Sequence, residues 1–105
     1  MDRLLKILNE MALPFAYDHF AEGESPEPPF ICYLLPQSDH FSADGKVYYK
    51  ISGVHIELYT DIKDLSVEQK VEAVLDTHGI FYEKSEVWIE SERLYEVLYT
   101  FEMEV

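Results

Sequence analysis

The stretch "KVYYKISGVHIELYT", residues 46–60, is rich in β-branched and aromatic side chains and reads as β structure throughout. Val47, Tyr49 and Ile51 fall on one face by period two, whereas Val54, Ile56 and Leu58 have the opposite parity. The phase changes at Ser52-Gly53, through either a two-residue hairpin turn or a bulge in one long strand. Ser-Gly is a weaker turn signal than Asn-Gly, which favours the bulge.

Upstream, "QSDHFSADG", residues 37–45, reads as a polar loop punctuated by Asp44-Gly45, with Phe41 as an apolar side chain lacking periodic partners. Phe30 to Leu35 form an unbroken apolar run, a strand that Pro36 closes. The glutamate- and proline-rich stretch ahead of it, residues 21–29, has three prolines without N–H groups and cannot ladder as a central strand. Pro28-Pro29 favours an extended, polyproline-like approach to Phe30. Phe15 to Tyr17 reads as a short edge strand. Leu4, Leu5, Leu8, Met11 and Ala12 make one apolar stripe, predicting a helix over about residues 2–12 that Pro14 ends.

Downstream, Ser66 as N-cap with Gln69 three residues later predicts a helix over 67–78, with Val67, Val71, Val74, Leu75 and His78 on one face and Gly79 closing it. The segments "IFYEKSEVWIE" and "RLYEVLYTFEMEV" follow as strands joined at "ESER", residues 90–93. In the last strand Tyr95, Val97, Tyr99, Phe101 and Met103 alternate with Glu96, Leu98, Thr100, Glu102 and Glu104, giving one buried and one wetter face. The order α-β-β-α-β-β implies a single α+β domain over 1–105, an antiparallel or mixed sheet of about four to five strands with two helices.

Eight basic against twenty-one acidic residues give a net charge of −13, which argues against electrostatic binding of DNA or anionic membranes. Acids exceed bases six to two in residues 1–29, eight to four in 30–79 and seven to two in 80–105, so the whole surface is negative. Glu22, Glu24 and Glu27 are a candidate acidic loop with no more than their share of that charge. The single cysteine, Cys32, lies in an apolar run and reads as a buried, inert thiol. "MDRLLKILNEMALP" interleaves charges with leucines and lacks a small-residue cleavage site, so it does not read as a signal peptide. Synthesis in a reducing cytoplasm is the expectation.

Chemistry is hard to find. Gly23, Gly45, Gly53 and Gly79 stand too far apart for a phosphate-cradling loop. One cysteine with His19, His40, His55 and His78 scattered singly gives no zinc spacing, and His78 reads as a packing residue at a helix C-terminus. Asp18-His19 and Asp39-His40 suggest oriented bases, but neighbours along a strand point to opposite faces, so adjacency alone aligns neither pair. Asp61 to Asp64, "DIKD", lacks calcium-loop spacing and reads as a solvated lead into the helix. The residues therefore favour an interaction protein, without catalytic residues, cofactor or metal, over an enzyme.

"PPFICYLLPQSDHFSADGKVYYKISGVHIELYTDIKD", residues 28–64, and "VEAVLDTHGIFYEKSEVWIESERLYEVLYTFEMEV", residues 71–105, resemble a family of small tail completion, tail terminator or head–tail joining proteins of long-tailed phages and prophages of Gram-positive bacteria. Element order and phrases such as "PPF", "KVYYKI", "IELYTD" and "HGIFYEKSE" carry the resemblance, which extends from the first helix through "YDHF" to the C-terminal strand. It implies a non-enzymatic structural protein that assembles as a ring, commonly a hexamer, on the head-proximal end of the tail tube. Its partners would be copies of itself, the tail tube protein and the head connector protein, with DNA only in transit and no membrane. It would be found in the host cytoplasm during assembly and in the virion at the head–tail junction. Ring closure needs unlike patches meeting between subunits. The candidates are Phe41 and Asp44 of the 37–45 loop with Lys46, Tyr48 and Lys50 of the following strand, and any edge strand able to accept another. The competing reading is a small acidic inhibitor that mimics DNA and occupies a basic groove on a host nucleic-acid-binding protein.

Overall fold

A computed structural model describes residues 2–43 and 46–104, with side chains described outside 37–50. The elements are α1 (Asp2–Glu10), β1 (Phe15–Tyr17), β2 (Phe30–Ala43), β3 (Lys46–Thr60), α2 (Leu65–Thr77), β4 (Glu83–Ile89) and β5 (Leu94–Glu104). The strands form one five-stranded sheet in the order β1-β2-β3-β5-β4, with β1 parallel to β2 and the other pairs antiparallel. This is the expected α+β class, a mixed sheet with two helices.

The segment 46–60 is one strand. Its pairing with β5 runs from Ile51 opposite Glu104 to Thr60 opposite Tyr95 without a slip, so Ser52-Gly53 is neither a hairpin turn nor a bulge. The alternation there is regular: Ser52, Val54, Ile56, Leu58 and Thr60 are all buried. The change of parity is therefore a change of face along a regular strand, Ile51 lying on the face opposite Val54, and a separate register shift lies further back. Phe41 pairs with Tyr49 and Ser42 with Val47, which leaves Tyr48 as an extra residue on β3.

Pro36 does not close β2. Leu34 pairs with His55 and Gln37 with Gly53, so Leu35 and Pro36 together face the single residue Val54. A proline is tolerated at such a break because the ladder is already interrupted there and no N–H is asked of it. Residues 37–43, expected as loop, therefore continue the strand, with Phe41 inside it; Asp44-Gly45 lies outside the described residues. The Pro28-Pro29 peptide ahead of β2 is cis.

One cluster makes the core. Leu4, Ile7, Leu8 and Met11 of the α1 region and Val71 and Leu75 of α2 pack on Ile31, Val54, Ile56, Leu58, Val97, Tyr99 and Phe101, so both helices cover the same sheet face. Ile7 belongs to the buried stripe where Ala12 was expected. The helix ends at Glu10, and Ala12 is exposed with φ 58. Fully burying a side chain such as Leu58 contributes about 2 kcal/mol through area removed from water.

The N-cap of α2 is Asp64, two residues before the expected Ser66: its Oδ1 accepts from the Val67 N–H at 3.2 Å and from the Ser66 hydroxyl at 2.7 Å. At the other end Gly79 has φ 68, and the N–H groups of Gly79 and Ile80 donate to Asp76 O and Leu75 O, both at 3.0 Å. That reciprocal pair of bonds is a Schellman ending, which needs the left-handed residue.

Candidate functional site

Unequal strand lengths set the surface features. β5 ends opposite Ile51, so β3 continues over 46–50 with β2 as its only described neighbour. The two strands project there as a ribbon. The extents of 50 × 30 × 22 Å and a radius of gyration of 15.0 Å reflect it, against about 13 Å for a compact domain of this length. Phe41, Lys46, Tyr48 and Lys50, expected at a subunit interface, all have backbone positions on this arm: Phe41 opposite Tyr49, Lys46 opposite Ala43, Lys50 opposite His40 and Tyr48 at the register break. Their side chains, and Asp44 altogether, lie outside the described residues. The parts brought together are thus two strands, not a loop and a strand.

A second step lies on the other side of β5. β4 begins at Glu83, opposite Thr100, so among the described residues no strand covers 101–104 on that side. An open groove of about 670 Å³ lies at this end of the sheet, lined by Arg3, Ile80, Phe81 and Glu83 together with residues 53–55 of β3 and 100–103 of β5. Phe81 is 94% exposed, the most exposed of the large apolar side chains described. Beside it Arg3 Nη2 donates to His78 O at 3.1 Å, and His78 Nε2 lies 2.8 Å from Glu10 Oε1. His78 therefore ties α2 to α1, in keeping with a packing role at the helix end.

The acidic loop is as solvated as its composition suggests. Glu22, Glu24 and Glu27 are exposed on the connection from β1 to β2, where Glu24 N–H donates to Ala21 O at 2.9 Å. Asp18 and His19 do meet, His19 Nδ1 lying 2.9 Å from Asp18 Oδ2, although strand alternation argued against it. Asp18 has left β1 with φ 65, so the alternation rule no longer applies. Both side chains are exposed and neither lines the groove.

On the sheet face opposite the helices, Cys32 lies between β1 and β3 in the sheet and is buried. Burial, reinforced by Glu57, Asp18 and Glu96, pushes its thiol up to about 11, so it stays protonated and a poor nucleophile near neutral pH. Burial likewise raises Glu57, which accepts from the Tyr59 hydroxyl at 2.9 Å.

Sequence reasoning missed a charged seam between α2 and β4. Glu68 is 1% exposed, with Lys63 Nζ 2.7 Å from its Oε2 and Lys84 Nζ 2.8 Å from its Oε1. Lys84 also reaches Glu72 at 2.7 Å, Lys63 reaches Glu86 at 2.9 Å, and the Tyr99 hydroxyl donates to Glu72 at 2.8 Å. Burial opposes the charge on Glu68, yet the two ammonium groups hold its carboxyl below the usual range. The same balance holds for Glu72, through Lys84 and Tyr99. The available signal was the i, i+4 spacing of Glu68 and Glu72 beside the buried Val71 and Leu75. With every carboxylate in the seam matched to a lysine or tyrosine, its chemistry is fastening.

No group of three or more His, Cys, Asp or Glu side chains among the described residues has the arrangement of a metal site, and no described helix is long and apolar enough to cross a membrane. The chain matches no protein-family model and no curated protein.

Proposed function

We propose that the chain is a non-enzymatic structural protein of a phage or prophage tail. It would complete or cap the tail tube and join it to the head connector as a ring of identical subunits. What carries the reading is the likeness of residues 28–64 and 71–105 to that family. The α+β architecture agrees with it, and the projecting β2–β3 ribbon, where "KVYYKI" falls, supplies a surface for a neighbouring subunit. The even spread of acids fits a ring through which DNA passes, because a negative lumen repels phosphate and keeps DNA from sticking. The same charge supports the second reading, a DNA-mimicking inhibitor, but that reading leaves the likeness without an explanation.

Electron microscopy of tails assembled without the protein tests the proposal. Overlong or headless tails are expected, and head-joined tails of normal length would sink it. Salt-sensitive capture of a host nuclease or polymerase would favour the inhibitor instead.

A further inference from the structure

Both helices pack on one face of the sheet, and no described helix lies on the other. Strand register sets out that open face in rows, because paired residues project to the same side. Phe30, Tyr59, Glu96 and Val87 stand side by side across β2, β3, β5 and β4. The next row holds Cys32, Glu57 and Leu98, and the one after it ends at Glu83. Phe20, from the β1–β2 connection, caps one corner, its ring edge-on to Phe30 at 5.4 Å.

A sheet face left to water ordinarily carries polar side chains of both signs. This one is different on both counts. Tyr59 and Leu98 are only partly buried and Val87 is 53% exposed, so apolar surface runs between the carboxylates. The charged residues of the three rows are Glu57, Glu83 and Glu96, and no Lys or Arg stands in them. Lys63 and Lys84 are taken up by the seam on the helix side. Glu57, at the centre, accepts from the Tyr59 hydroxyl at 2.9 Å, while burial and then Glu96 raise its carboxyl. A second copy laid face to face would set these carboxylates against their equals, and DNA or an anionic membrane would be repelled in the same way.

We infer that this face receives an arginine-bearing amphipathic segment of a different protein, with guanidinium groups on Glu57 and Glu96 beside the Tyr59 ring and apolar side chains on Leu98 and Val87. Guanidinium suits the place because it is planar, stacks on aromatic rings, pairs with carboxylates through two bonds and is more weakly hydrated than an ammonium group. A mimic of DNA would have no need of the apolar surface between the acids. The inference goes beyond the ring reading and does not rest on it.

Titration with a short acetylated peptide of alternating arginine and leucine, followed by amide NMR and calorimetry, tests the contact. Shifts centred on Glu57, Tyr59, Glu96 and Leu98 are expected. Glu57→Gln with Glu96→Gln should weaken binding at least about tenfold. Glu22→Gln with Glu24→Gln, an equal change of charge on the exposed loop, should alter it by no more than about twofold. Replacing leucine by serine in the peptide should also weaken it at least about tenfold. Equal losses from the two glutamate pairs, shifts centred away from this face, or no binding at millimolar peptide would overturn the inference. So would concentration-dependent shifts of the same residues without peptide, which would give the face to a second copy. Head-joined tails of normal length without the protein would sink the ring reading and leave this contact standing.

Discussion

β2 lives in two environments. Over Ile31 to Tyr33 it has β1 on one side, β3 on the other and the helix-covered core against Ile31 and Tyr33; over Gln37 to Ala43 its only described neighbour is β3. The body of the sheet is held by apolar burial that no single pairing decides. Among the described residues the arm adds hydrogen-bonded pairing without a helix, a third strand or a share of the core. Two strands alone are marginal in water, so an arm of this kind adds little to stability.

Substitutions sharpen or break that contrast. Leu58→Ala, in the body, should cost about 3 kcal/mol in urea unfolding, through lost transfer and the cavity left behind. A cost under about 1 kcal/mol would mean that the body is no better packed than the arm. Glu68→Ala should cost about 2 to 3 kcal/mol, because Lys63 and Lys84 lose the buried carboxylate between them. Gly79→Ala meets no atom within 4 Å of its new Cβ, yet should cost about 1 kcal/mol because φ 68 strains any side chain. Lys46→Ala with Lys50→Ala should lower stability in urea unfolding by no more than about 0.5 kcal/mol. A large stability loss there would erase the distinction between arm and body.

Acid should act on the body through the seam. The carboxyls of Glu68 and Glu72 titrate below their ordinary 4.5 in the folded chain, so the unfolded chain takes up their protons first as pH falls. Their stabilisation is present above that value and is lost as pH drops through the lower folded values. Glu57, raised by burial, works in the opposite sense. Urea unfolding at pH 7 and pH 3 should show a decline that Glu68→Gln with Glu72→Gln flattens.

The body was more legible than the arm, for a physical reason. Period-two burial in β5 and the core face of α2 follow from hydrophobic alternation, which the helices enforce. Gly79 was legible because only the left-handed region ends a helix that way. Pro36 misled because a proline usually ends a strand, and the bulge that accommodates it is a property of the paired strand. The change of parity in 46–60 was visible but only moves apolar residues from one face of a regular strand to the other, whereas the register shift at Tyr48 depended on where β2 slipped against β3. Charge pairing across Lys63, Glu68 and Lys84 joins residues whose partnership only the packing of α2 on the sheet creates.

The length of β3 has a mechanical side. Its bonds to β2 and β5 lie across the strand direction, so a pull on the arm along β3 loads the ladders on both sides in shear, many bonds together. A sideways pull would instead open the arm bond by bond from its tip. A subunit gripped by its arm thus resists tension along one axis far better than across it.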